Sequence, residues 1–277
     1  MHSTAAQRSS DALGNSQQEF HRLNRQARAY EPFTRQLLRQ AGLAPGMRVL
    51  DVGCGGGDVA FLLADLVGPR GEVVGTERIS SARQWAISRA QFRSMNNIRF
   101  LEGDPAEMSF DEPFDAVVGR NVLIYYPDPV AALRKLQHYL GPGGLTVFQE
   151  FDMANCRSLP PAPTFDHAIA LIRQALLAIG AHVQFGLELH QVYLDAGLPA
   201  PTMRLDSLVG GGQDFVGYAL TADLMQSLLP TMEKLNLATA AELDLPTLEQ
   251  RLRLEVSSSK GVILCPALVG AWSRKSP

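Results

Sequence analysis

The stretch Val49-Leu50-Asp51-Val52-Gly53-Cys54-Gly55-Gly56-Gly57-Asp58 decides how the rest of the chain is read. Arg48 to Asp51 is a short buried strand, the glycines form a turn, and Val59 to Val67 follows as a helix. A turn of this kind needs glycine because it takes unusual backbone angles and lets a ligand approach the main chain. The helix beyond it offers unsatisfied N–H groups. Such a loop serves either a phosphate or another cofactor. Three features count against phosphate. Asp58 stands where the dinucleotide fingerprint wants its third glycine. An acidic side chain beside the loop repels a pyrophosphate, and the Walker-type lysine is absent.

Outward from the loop, strand and helix alternate as a parallel sheet requires. The strands are Glu72 to Thr76, Ile98 to Leu101, Phe114 to Val118 and Gly144 to Phe148; the helices are Ser80 to Ser94 and Val130 to Leu140. Ser80 is placed at an N-cap, as are Pro127 and Asp128 ahead of the later helix. Upstream, Phe20, Leu23, Ala27, Phe33, Leu37, Leu38 and Ala41 recur at helical spacing, and Pro32 divides the segment into two helices. Downstream of Phe151 the pattern changes: Asn155 to Pro163 reads as a loop, and Phe165 to Ile179, Leu187 to Ala196, Tyr218 to Leu235 and Leu248 to Val256 as helices. Thr202 to Leu208 and Leu268 to Trp272 read as strands. The organisation expected is a tail with cap helices over 1–41, a cofactor-binding core over 42–152, and the rest of the core with inserted helices over 153–277.

Composition narrows the class. Of 277 residues 46% are hydrophobic and 19% charged, enough for a packed interior, and the net charge of -3 comes without any basic run to displace phosphate counterions. Nucleic acid is therefore not an expected partner. Cys54, Cys156 and Cys265 form no zinc spacing and are read as reduced thiols, so no metal is expected. Met1 to Asn15 lacks the apolar centre of a signal peptide and no run is long enough to span a bilayer, which gives a cytoplasmic expectation with no membrane partner.

Five motifs in order, from Arg48 to about Glu150, resemble the class I S-adenosylmethionine-dependent methyltransferases, most of all the ubiquinone/menaquinone-biosynthesis type and its relatives in bacterial secondary metabolism. They are Asp51-x-Gly53-x-Gly55-x-Gly57, Glu77 after the second strand, Gly103-Asp104 after the third, Phe114 to Pro129, and Leu140-Gly-Pro-Gly-Gly144. The resemblance implies an α/β, Rossmann-like fold: seven mostly parallel strands whose order reverses at the first, helices on both faces, N-terminal helices and an inserted helical lid. It implies S-adenosylmethionine as cofactor, with S-adenosylhomocysteine as product. Glu77 then takes the ribose hydroxyls, and Asp104 the adenine amino group. The main chain near Gly53 and Gly55 holds the methionine end, with Gly57 completing the loop and Gly119 or Asn121 close by. Two positions depart from the family pattern. Pro105 has no N–H for the adenine ring, and Arg78 stands where an apolar residue packs on it, with its aliphatic stem as substitute.

Beyond the cofactor, Tyr30 and Phe33 end a helix of the kind that closes over the cofactor in this family; packing alone would also explain them. Tyr125 and Tyr126 lie at the carboxyl edge of the sheet, where ligands bind. Glu150 at the same edge is the candidate general base, against a structural cap or ion pair; His167 and His190 are weaker candidates. The Phe165, Ile169, Leu171, Ile172, Leu176 stripe is lid or core. The function expected is methyl transfer to oxygen, carbon or nitrogen of a small apolar acceptor, by a monomer or homodimer. Cyclisation on the same fold and nucleotide-cofactor oxidoreduction are the alternatives.

Overall fold

The computed structural model describes residues 17–276. In chain order the sheet-forming part contains α1 (Gln17–Ala41), β1 (Arg48–Val52), α2 (Asp58–Val67), β2 (Glu72–Glu77), α3 (Ser80–Phe92), β3 (Ile98–Glu102), β4 (Phe114–Arg120), α4 (Pro129–Leu136) and β5 (Leu140–Asp152). Next come β6 (Arg157–Leu159), α5 (Pro163–Ala178), α6 (Phe185–Asp195), β7 (Thr202–Asp206), β8 (Val209–Gly210) and α7 (Gly217–Lys234). The chain closes with α8 (Ala240–Leu243), α9 (Leu245–Ser258), β9 (Val262–Leu264) and β10 (Ala267–Arg274). Met1 to Ser16, read as a frayed polar tail, lies outside the described residues, as do the side chains of Phe20 and Leu23.

Seven strands form one sheet in the order β3-β2-β1-β4-β5-β10-β7. The strands β1 to β5 pair in parallel, so the order reverses at β1 and the sheet is the mostly parallel, Rossmann-like one expected. Parallel strands are covered on both faces and read as continuous apolar runs; Val49, Leu50 and Val52 are accordingly all buried. Residues of one parity, Val49, Val73, Val118 and Val147, share a core cluster with Leu37 and Leu38 of α1, the apolar side of α2, and Ala86 and Ala90 of α3. The small residues Ala82, Ala86 and Ala90 recur every four positions, which lets α3 approach the sheet closely. On the other parity Leu50, Val74, Val117 and Phe148 are buried as well.

The structure corrects several boundaries. Pro32 lies inside α1, which runs unbroken as one helix. Proline in a helix interior costs about 3 kcal/mol, but Tyr30, Thr34, Leu37, Leu38 and Ala41 are all buried along the same helix, and that burial outweighs it. Ser80 is the first helical residue of α3 and not its cap, which is Ile79. Asp128 caps α4 as expected, its side chain accepting from Ala131 N at 2.8 Å. Within the segment read as a loop, Arg157–Leu159 is a strand, paired antiparallel with Val262–Leu264, and β8 flanks the same strand to give a second, three-stranded sheet. Three residues carry no legible period of their own; their partner is about a hundred positions away.

The chain divides into two compact units. One holds Tyr30–Glu150, Gly186–Arg204 and residues 269–276, with the sheet core; the other holds residues 17–29, Phe151–Phe185 and Leu205–Leu268. The division therefore falls within α1, after Ala29. The second unit is built on α5, α7 and α9, with Phe165, Ile169, Ile172, Leu228, Met232, Leu248 and Leu252 in its core. Glu255 ties α9 to the start of α5, accepting from Thr164 N at 3.1 Å and from the Thr164 hydroxyl. No helix among the described residues is long and apolar enough to cross a membrane, and no cluster of three metal-ligating side chains occurs among them.

Candidate functional site

The glycine loop leaves β1 at the carboxyl edge of the sheet, at the strand where the order reverses. Cys54 N donates to Thr76 O at 2.9 Å and Gly57 N to Cys54 O at 2.9 Å, which folds the loop back over β2. Gly53 and Gly55 both take left-handed backbone angles, φ 63 and 52, where a side chain is strained. Their surroundings differ. A Cβ on Gly53 would lie 2.5 Å from Val122, whereas one on Gly55 would meet nothing within 4 Å. Gly53 is thus packed against the loop after β4, and Gly55 borders open space. Gly57 precedes α2 in the same left-handed conformation.

Glu77 ends β2 and reaches across to the loop. One carboxylate oxygen accepts from Gly55 N at 2.9 Å and the other from Ile79 N at 2.8 Å. The side chain fixes loop and α3 together while each oxygen keeps a further lone pair. Next along the edge, Asp104 accepts from Ala106 N at 2.9 Å and from the Tyr126 hydroxyl at 2.6 Å, and Arg78 stands 3.6 Å from its second oxygen. Burial and the bond to Asp104 both raise the Tyr126 hydroxyl pKa, so this hydroxyl holds its proton and holds Asp104. Pro105 is buried, and its carbonyl accepts from Tyr139 at 2.8 Å.

Asp51 is buried at the end of β1, and one of its carboxylate oxygens has no hydrogen-bond partner. Burial raises its pKa to about 8, against the favourable charge of Arg120. Buried polar atoms are nearly always satisfied, and this unmatched oxygen lies beside the glycine loop. Glu150 is also fully buried, with its pKa raised by burial to about 8. It accepts from Val122 N at 3.0 Å and Leu123 N at 2.9 Å. A group so placed anchors the loop after β4, the role set against general base in the sequence reading. Asn121, in that loop, takes a left-handed φ of 54. Gly119 is a packing position, since a Cβ there would come within 2.5 Å of the Phe148 ring. Tyr30 is buried, edge-on to Phe33 with ring centroids 6.1 Å apart. His167 and His190 are both exposed, on α5 and α6. The Phe165, Ile169, Leu171, Ile172 stripe is spent in the core of the helical unit.

Two arginines at the site carried no legible signal. Arg89 of α3 donates to Gly56 O and to Asp58 Oδ1, both at 2.6 Å. Asp58 is therefore neutralised, and its expected repulsion of a pyrophosphate loses its force. Arg120, at the end of β4, donates to the Thr34 hydroxyl at 3.1 Å. Alternation along β4 puts it on the same sheet face as Asp51, because Asp51 pairs in register with Val118.

A family model described as a methyltransferase domain matches residues 43–185, which spans β1, the glycine loop, β2 to β6 and the helices α2 to α5. The demethylmenaquinone methyltransferase of Staphylococcus aureus (strain JH9) is 31% identical over 151 residues, 54% of this chain and 59% of the relative. The chain thus matches somewhat more than half the length of that curated relative. Among solved structures, a methyltransferase structure from Bacillus halodurans C-125 superposes with a TM-score of 0.57 at 17% identity, covering 87% of this chain and 98% of the other. The cyclase SpnF superposes with a TM-score of 0.52 at 19% identity, covering 90% and 82%. With the strand order and the five motifs in place, the chain belongs to the methyltransferase-domain family, among the class I methyltransferases whose cofactor is S-adenosylmethionine.

Proposed function

We propose that this protein transfers the methyl group of S-adenosylmethionine to oxygen, carbon or nitrogen of a small organic acceptor. The observation that carries the reading is the pairing of Glu77 with Gly55 beside the unmatched oxygen of Asp51. The free lone pairs of Glu77 suit two ribose hydroxyls, and the Asp51 oxygen suits the ammonium of the methionine end. The open side of Gly55 leaves room for the ligand between them. Asp104 with Arg78 would take the adenine end beside Pro105, and Tyr30, Gly119 and Asn121 would border the reacting end.

When bound, the cofactor supplies a methyl group already activated on a sulfonium. What remains for the protein is to hold an acceptor atom in line with it, and positioning of this kind lowers barriers by several kcal/mol without a covalent step. Glu150 fits this as the anchor of the Val122–Leu123 backbone, and Tyr126 as the anchor of Asp104; both position the site. The curated relative's name gives demethylmenaquinone as what it acts on, which supports an apolar, quinone-like acceptor here.

Calorimetry with S-adenosylhomocysteine tests the cofactor part: micromolar or tighter binding is expected, and binding of NAD alone overturns it. Labelled methyl followed into a dihydroxynaphthalene-type phenol tests the transfer. Because a cyclase has the same fold, product formed without label would assign rearrangement instead.

A further inference from the structure

The charge balance beneath the cofactor loop turns on one residue that the family motifs leave without a role. Asp58 is matched directly by Arg89 at 2.6 Å, but Asp51 has no ion-pair partner within contact distance among the described residues. The groups that face Asp51 are Arg120 from β4, Glu77 from β2 and Asp58 at the start of α2. Two of these are acidic and oppose its ionisation; Arg120 alone of the three favours it. The same guanidinium faces Glu31 of α1 and donates to Thr34 Oγ1 at 3.1 Å. Thr34 in turn donates to Gln149 Oε1 at 2.7 Å, and Gln149 lies opposite Arg120 in the β4–β5 register. One cation therefore reaches the charge of the loop, the end of β5, and the helix that carries Tyr30.

We propose that Arg120 is a positioning residue for the cofactor: on the same sheet face as Asp51, its guanidinium favours ionisation of Asp51 when a cationic ligand binds and, through Thr34, fixes α1 beside the loop. This rests on the reading above that the ligand is the sulfonium cofactor with its free ammonium group. Opposite charges on one face of adjacent strands favour each other's ionised form. Without Arg120, binding a cation would require Asp51 to lose its proton at the cost of burial among Glu77 and Asp58.

The test is S-adenosylmethionine affinity by calorimetry from pH 6 to pH 9, in the wild type and in Arg120→Met, Arg120→Gln, Arg120→Lys and Thr34→Val. Wild-type affinity is expected to rise with pH to a plateau as Asp51 ionises. Arg120→Met should move the midpoint of that rise up by about one pH unit and weaken binding at pH 7 roughly tenfold. Arg120→Gln keeps a donor for Thr34 and should show the same shift, which serves if Arg120→Met fails to fold. Arg120→Lys should restore the wild-type midpoint, and Thr34→Val should leave it in place. In an Asp51→Asn background, removing Arg120 should no longer change the pH profile. An unmoved midpoint in Arg120→Met or Arg120→Gln, or an equal shift in the Asp51→Asn background, overturns the proposal. A wild type that binds no S-adenosylmethionine at any pH overturns the functional reading instead, so the two failures are distinct.

Discussion

The carboxyl edge of the sheet and the core of the helical unit spend their buried residues differently. At the sheet edge, Asp51, Gln149 and Glu150 are buried with a polar atom unmatched, and glycines hold left-handed angles next to them. In the helical unit the core is Phe165, Ile172, Leu228, Met232, Leu252 and their neighbours, mostly apolar, with the Tyr218 hydroxyl unmatched among them. An unmatched buried charge destabilises the fold, and nothing in packing requires one. Asp51 and Glu150 place buried carboxyl groups at the sheet edge, while the helical core shows the ordinary physics of helix packing. The contrast also explains why the cofactor is legible: a site made of charge and glycine has a distinctive composition, whereas apolar helix cores look alike.

The sharpest way to break this comparison is to exchange the kinds of damage. Leu252→Ala, in the helical core and fully buried, should cost about 2–5 kcal/mol in urea unfolding. Cofactor affinity, measured by calorimetry on the folded fraction, should stay within about threefold of the wild type. A loss of both would mean that the two units are not energetically separable. Gly53→Ala should do the reverse in part, since its Cβ would lie 2.5 Å from Val122 and its φ is left-handed. A cost of about 1–3 kcal/mol is expected together with loss of cofactor binding; Gly55→Ala, strained but unobstructed, should be the milder of the two in stability.

Next in size, Glu77→Ala should weaken S-adenosylhomocysteine binding by about tenfold to a hundredfold, the scale of one or two charge-assisted hydrogen bonds. Unchanged affinity would remove the ribose assignment.

Glu150 and Asp51 sharpen the comparison through pH. Both carboxyl groups have pKa values raised by burial to about 8, from ordinary values of 4.5 and 3.8. The folded state therefore binds more protons than the unfolded one between those limits. Their contribution to stability is fully present below about pH 4 and is lost as pH rises toward 8. Denaturation at pH 5 and pH 8 should show this loss, and Glu150→Gln should reduce it. A profile identical to wild type would mean that Glu150 is ionised throughout. The smallest effect is expected from Tyr126→Phe, which removes one hydrogen bond to Asp104. About 1 kcal/mol in cofactor affinity and little in stability is the expected outcome.

Much of the sheet was legible because its signals are local. Parallel strands are short apolar runs bounded by turn residues, and Arg48 to Asp51 or Phe114 to Val118 declare themselves without reference to anything distant, each within two residues of its observed end. Helix ends were legible to within a residue or two where a side chain caps them, as Asp128 does. Pro32 misled because proline states a local cost and nothing about the burial that offsets it. Arg157–Leu159 was missed because a three-residue strand exists only by virtue of its partner at Val262–Leu264. At the site, Glu77 and Asp104 were legible from their places after strands. Arg89 and Arg120 were not, since an arginine on a helix or at a strand end reads as surface until the fold turns it toward Asp58 or Asp51.

By itself, then, the run from Val49 to Asp58 with the motifs after it determined the fold class, the strand order through family resemblance, and the cofactor, because backbone freedom and charge at a strand end are written in residue type. Only the tertiary structure decided what each charge at that edge does: that Glu150 anchors a loop, that Tyr126 holds Asp104, that Arg89 neutralises Asp58, and that Asp51 is left unmatched opposite Arg120. Those roles depend on distances between residues tens of positions apart, and Coulombic and hydrogen-bond energies depend on distance and burial, which no single stretch of sequence contains.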